Sequence, residues 1–118
     1  MVEDVVTVEK DVPVKTCIDL LFKRHVGSIV IVDEARHCMG IFTERDAIRV
    51  VAQNVPLAAP IEKTMTKNVL TVNEDAKFEE ARSIISSYQI RHLPVVDAEG
   101  KLVGLISVRH ILDEFCGL

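Results

Sequence analysis

Thr43-x-x-Asp46 stands where a strand-like run, Cys38 to Thr43, gives way to a helical one. Two chemistries fit that spacing. In one, Thr43 is a helix N-cap whose hydroxyl accepts from a first-turn N–H, and Asp46 reaches back to the N–H of the cap residue while favouring the helix dipole. In the other, the carboxylate accepts hydrogen bonds from two ribose hydroxyls while the helix N-terminus and the Thr43 hydroxyl hold a phosphate. The two are compatible, and both stay open. The chain repeats the arrangement at Ser107-x-x-His110, with an imidazole in place of the carboxylate. A neutral His offers one acceptor nitrogen and a protonated one offers none, so two-point capture of a diol is lost there. Arg91 and His92 supply basic groups just before the run Leu93 to Val96, where the first half of the chain has Gly27 and Ser28. Taken alone, such a pair is an ordinary solvated strand edge.

Other chemistries are poorly supported. The chain has no G-x-S-x-G, H-E-x-x-H or P-loop motif and no cluster with metal-ligand spacing, so neither an enzyme nor a metal site is expected. Its three cysteines, Cys17, Cys38 and Cys116, lie far apart and read as small apolar residues. A formal charge of −4 argues against a general nucleic-acid surface, which needs clustered Lys and Arg. No apolar run is long enough to span a membrane, and Val2, Glu3 and Asp4 follow Met1 without a secretory pattern, so a cytoplasmic protein is expected.

The elements that must position these residues come twice. Sliding the chain until Thr7 meets Thr71 brings Asp11 onto Asp75, Val32-Asp33 onto Val96-Asp97, Gly40 onto Gly104 and Arg45 onto Arg109, without an insertion. Each copy opens with a short strand-like run, Val5 to Val8 or Val69 to Val72. An amphipathic helix follows, with Val14, Cys17, Ile18 and Leu21 as the apolar stripe in one copy and Phe78, Ala81, Ile84, Ile85 and Tyr88 in the other. Two strands joined by a polar hairpin come next: Ser28 to Val32 and Cys38 to Thr43, then His92 to Val96 and Leu102 to Ser107. A closing helix runs from about Glu44 to Gln53 and from about Val108 to Cys116. Apolar residues make up 48% of the 118 and aromatics only 4%, which favours aliphatic packing on strands. The organisation expected is residues 1–53 as one unit, 54–60 as linker and 61–118 as the second. The first copy lacks the short helical lead-in, Ile61 to Thr66, that precedes the second. Its open edge therefore needs a cover, either the stretch Ala59 to Met65 or another chain. The fold class is α/β, an α+β sandwich of two β-α-β-β-α units packed sheet to sheet with pseudo-twofold symmetry.

Five features resemble a tandem pair of CBS domains, the Bateman module. They are the lead-in Met65-Thr66-Lys67-Asn68-Val69-Leu70-Thr71-Val72, the strand Ile90-Arg91-His92-Leu93-Pro94-Val95-Val96-Asp97, the hairpin Gly100-Lys101-Leu102-Val103-Gly104, the stretch Gly40-Ile41-Phe42-Thr43-Glu44-Arg45-Asp46, and the doubled element order. The resemblance covers essentially the whole chain. It implies a non-catalytic regulatory module, of the energy-sensing kind, that binds AMP, ADP, ATP or S-adenosylmethionine in clefts between the units. It makes Asp46 the ribose-binding aspartate and sets Arg91 and His92 against the phosphate of the ligand whose ribose the opposite unit holds. The adenine needs flat apolar walls, for which Ile41, Val69, Leu70, Thr71 and Pro94 are candidates, although core packing explains them equally well. A degenerate second site is expected around Ser107 and His110 with Gly27, Ser28 and Thr7. The surplus apolar residues Ala47, Ile48, Val50, Val51 and Ala52, with Ile111, Leu112 and Phe115, point to homodimerisation through helices about 44–53 and 108–116. No catalytic cofactor is implied, and any output would pass through a separate regulated protein. The competing reading is an interaction or nucleic-acid adaptor with vestigial clefts.

Overall fold

The computed structural model of the chain describes residues 5–108. It contains two compact bodies, one spanning Val6–Val69 and the other carrying the described residues from Leu70 to Val108. Each body carries one three-stranded sheet, with two α-helices and a 3-10 turn in the first and, among the described residues, one α-helix in the second, a mixed α/β architecture.

In the first body the order is β1 (Thr7–Val8), α1 (Val14–Arg24), β2 (Ser28–Val32), β3 (Cys38–Thr43) and α2 (Glu44–Ala52). β1 runs parallel to β2, and β2 antiparallel to β3, with Ile29 opposite Phe42 and Ser28 opposite Thr43. Helix α1 forms where its stripe predicts. Val14, Cys17 and Leu21 are buried against Ile29, Ile31, Phe42 and Val50. It ends at His25, which turns left-handed at φ 52° so that the His25 N–H reaches the Leu21 carbonyl.

Helix α1 starts without help from its own N-cap residue, Pro13. The first-turn donors are instead taken by the chain after α2: the Val14 N–H donates to Ala59 O (2.9 Å) and the Lys15 N–H to Leu57 O (2.9 Å). Free first-turn donors are the usual weakness of a helix start, and this strap removes it. The strap continues as Ile61 N–H bonds Val12 O (2.8 Å), a single 3-10 turn covers Ile61–Lys63, and Thr66 pairs with Ile41 in an isolated antiparallel bridge. Ile61 and Met65 complete the first body's core. Residues 61–69, which the repeat register counts with the second copy, thus fold into the body of the first and cover the edge of β3. Ile61 and Met65, both buried in that core, anchor the segment there.

The approach is close at Gly40, where a Cβ would lie 2.5 Å from Met65 Sδ and 2.9 Å from the Thr66 carbonyl oxygen. A side chain there would force the strap off β3.

The second body contains β4 (Val72–Asn73), α3 (Phe78–Tyr88), β5 (His92–Val96) and β6 (Leu102–Ser107) in the same topology. Its core is Val72, Ala81, Ile85, Leu93 and Val95. Helix α3 ends as α1 does, on a left-handed residue, Gln89 at φ 53°. The opening strands are shorter than the runs Val5 to Val8 and Val69 to Val72, because each contributes only two residues to the parallel ladder. The expected closing helix beyond Val108, with His110, Ile111, Leu112 and Phe115, lies outside the described residues.

Candidate functional site

Asp46 is the one carboxylate among the described residues that is buried, at 8% exposure. Its position follows from β3 running directly into α2. Thr43 is extended (φ −110°, ψ 172°), and Gly27 O accepts the Glu44 N–H (3.1 Å) at the junction. The capping box read from the spacing is present in full. The Thr43 N–H donates to Asp46 Oδ2 at 2.9 Å, and the Asp46 N–H donates to Thr43 Oγ1 at 3.2 Å.

Three further donors converge on the carboxylate. The Thr43 hydroxyl reaches Oδ2 at 3.1 Å. The Thr66 hydroxyl straddles both oxygens, 3.1 Å from Oδ1 and 3.3 Å from Oδ2. Arg49 Nη2 lies 3.3 Å from Oδ1 and donates at 2.7 Å to the Thr64 carbonyl. The carboxylate therefore already holds two hydroxyls and one cation. That donor pattern is what a ribose diol beside a basic group would supply. Thr66 and Arg49 escape a reading from sequence alone. Arg49 had a signal in its i+3 spacing from Asp46 on a helix; Thr66 had none, because only the strap brings it to β3.

The remaining expected residues divide between the bodies. Ile41 is buried, and its backbone is taken up by the bridge to Thr66; Val69 is half-buried. Ser28 and Gly27 sit beside Thr43 at the start of β2, and Thr7 pairs with Val30. Ser28 is 3% exposed, and its hydroxyl has no hydrogen-bond partner among the described residues. In the second body His92 faces Ser107 across the β5–β6 ladder, and the Val108 N–H donates to Arg91 O (2.9 Å), repeating the Gly27 to Glu44 bond. Arg91 and Thr71 are exposed, Leu70 lies at the edge of exposure and Pro94 is fully buried.

The apolar face expected on α2 is narrower than its composition suggests. Val50 is fully buried in the core and is not available to a partner, which corrects its place in the interface set. The helical period turns Ala47 and Val50 inward, while Ile48 (70% exposed) and Val51 (68% exposed) face outward. With Ile18, Ala47 and Ala52 these two line an apolar hollow of about 380 Å³. Among the described residues no helix is long and apolar enough to cross a membrane.

The family model of the CBS domain matches residues 1–53 and 60–117. An uncharacterized 17.7 kDa protein of Acidianus ambivalens is 38% identical over 75% of this chain and 54% of its own length. Inosine-5'-monophosphate dehydrogenase of Aquifex aeolicus is 36% identical over 95% of this chain but only 23% of the enzyme. The chain thus spans about half, or less, of the length of these relatives. Among solved structures, the CBS domain pair of protein MJ0100, in complex with 5'-methylthioadenosine and S-adenosyl-L-methionine, superposes with a TM-score of 0.88 at 30% identity, covering 96% of this chain and 92% of that one.

Proposed function

The chain belongs to the CBS-domain family, and from that premise we propose that it is a non-catalytic regulatory module binding an adenosine-containing ligand, with Asp46 receiving the ribose hydroxyls. The observation that carries the reading is the buried Asp46 carboxylate at the start of α2, fixed by a capping box and already accepting two hydroxyl hydrogen bonds. A carboxylate held in one orientation gives up little freedom when a diol binds, which favours affinity. Arg91 and His92 are assigned to the phosphate of an AMP, ADP or ATP ligand, as the differences between the two copies suggest, and the apolar candidates Ile41, Val69, Leu70, Thr71 and Pro94 to the adenine.

A second reading within the same class is an S-adenosylmethionine-type ligand. It is favoured by the two ligands of the MJ0100 pair, both of which carry an adenosine and neither of which carries a phosphate. Arg91 separates the readings. For a phosphate ligand, Arg91→Ala removes a charge-assisted bond and weakens binding by about tenfold or more; for 5'-methylthioadenosine, which carries no anionic group, it changes little.

Titration calorimetry with AMP, ADP, ATP, S-adenosylmethionine and 5'-methylthioadenosine on wild type, Asp46→Ala and Arg91→Ala tests the proposal. At least one ligand is expected to bind wild type, with the heat lost in Asp46→Ala. Absence of binding by wild type to all five defeats it. The proposal also carries a cytoplasmic setting, a separate regulated protein, and a homodimer formed through the outward face of α2, where Ile48 and Val51 stand exposed.

A further inference from the structure

We infer that the Thr66 hydroxyl is an internal stand-in for a ligand hydroxyl on Asp46, so that Thr66 sets how tightly this site takes a ribose. The inference rests on the ribose reading of Asp46 and adds to it a built-in competitor.

An ionised carboxylate offers about four lone-pair positions. Here the Thr43 N–H, the Thr43 hydroxyl, Arg49 Nη2 and the Thr66 hydroxyl fill them. A diol must therefore displace donors rather than add to them. The four do not leave with equal ease. The Thr43 N–H belongs to the capping box that starts α2, and the Thr43 hydroxyl accepts from Asp46 N–H while it donates. Arg49 is anchored a second time on Thr64 O at 2.7 Å. Thr66 has a single hydroxyl hydrogen, shared at 3.1 and 3.3 Å between the two oxygens, and the residue is exposed, so water can replace the bond it gives up.

Thr66 is nevertheless kept in place. Its N–H donates to Ile41 O at 2.8 Å and its carbonyl accepts from Ile41 N–H at 3.0 Å, which holds the hydroxyl beside the carboxylate whatever the ligand does. A donor fixed that way competes at high effective concentration with any incoming hydroxyl. Thr66 is thus a positioning residue that lowers affinity.

The test is titration calorimetry of the full chain with AMP, 2'-deoxyAMP and 3'-deoxyAMP, using wild type, Thr66→Val, Thr66→Ser and Asp46→Ala. Thr66→Val keeps the shape and the backbone bridge but frees one acceptor. It is expected to bind AMP about two- to tenfold more tightly than wild type, the net worth of one hydrogen bond. Thr66→Ser keeps the hydroxyl and is expected to match wild type. The gain in Thr66→Val should shrink for whichever deoxynucleotide lacks the hydroxyl that takes the freed acceptor. Unchanged or weaker AMP binding by Thr66→Val, or an equal gain for all three nucleotides, overturns the inference; if Asp46→Ala still abolishes binding, the ribose reading survives alone. Failure of both wild type and Thr66→Val to bind any of the three, or S-adenosylmethionine or 5'-methylthioadenosine, overturns the two together.

Discussion

Replacing Gly40 by Ala should destabilise the first body, although the bare backbone argument says the opposite. Gly40 lies in β3, where Ala is allowed, and a compatible Gly→Ala change normally stabilises by about 0.4–1 kcal/mol through the unfolded chain. Here the new Cβ would stand 2.5 Å from Met65 Sδ and 2.9 Å from Thr66 O. The sulfur is the end of a flexible side chain and can move. The carbonyl cannot move without breaking its bond from Ile41 N–H, and the partner bond from Thr66 N–H to Ile41 O goes with it. Two backbone bonds at about 1 kcal/mol each, with strain of about 1–2 kcal/mol around the buried Met65, predict a loss of roughly 2–4 kcal/mol. The chain has no Trp, so urea unfolding is followed by far-UV circular dichroism. Gly40→Ala/Met65→Ala should not regain the stability of Met65→Ala, because the carbonyl clash persists. A stabilised Gly40→Ala, or full relief in the double variant, would refute the strap as the cause.

Three further outcomes follow from particular contacts. Ile48→Ser with Val51→Ser, at positions 70% and 68% exposed, should leave the unfolding free energy of the chain within about 0.5 kcal/mol of wild type while raising the monomer fraction in sedimentation; Val50→Ala, at 0% exposure, should instead cost about 1–3 kcal/mol. Burial pushes the Cys17 thiol up to about 11, so at pH 8 it should resist a thiol reagent in the folded chain and react only as fast as the body unfolds; prompt modification of Cys17 in native protein would contradict its packing. The His37 N–H, bonded to Asp33 Oδ1 at 2.8 Å, holds the Asp33 carboxyl below its ordinary 3.8. Because the folded value is the lower one, the stability this group contributes is present above 3.8 and disappears as pH falls through the folded value. Asp33→Asn should therefore show a smaller acid-induced loss than wild type in the same urea assay, and an identical loss would remove the hairpin bond from the account.

What could be read from the sequence was whatever local spacing encodes. The Thr43-x-x-Asp46 box, the four hairpin strands and the inward stripe of α1 follow from periods of two, three and four residues. Val50 shows the limit of composition without phase. It sits in an apolar run with Val51 and Ala52, yet one step of the helix separates a core residue from an exposed one. The strap was legible in part: Ala59 to Met65 was one of two covers the first copy's open edge called for, and Ile61 and Met65 do bury there, but the main-chain bonds that residues 57–66 make leave no mark in residue type. Thr66 reaches Asp46 only through that strap. The helix ends at His25 and Gln89 were hidden for a related reason: both are left-handed positions held by residues other than glycine.

Whether Asp46 holds the ribose of an adenosine ligand is decided by a crystal structure of the chain grown with AMP. Both ribose hydroxyls are expected within about 2.6–3.2 Å of the Asp46 carboxylate oxygens, with the Thr66 hydroxyl turned away from them. A bound nucleotide whose ribose lies elsewhere, with Asp46 still carrying the Thr66 hydroxyl, would contradict it.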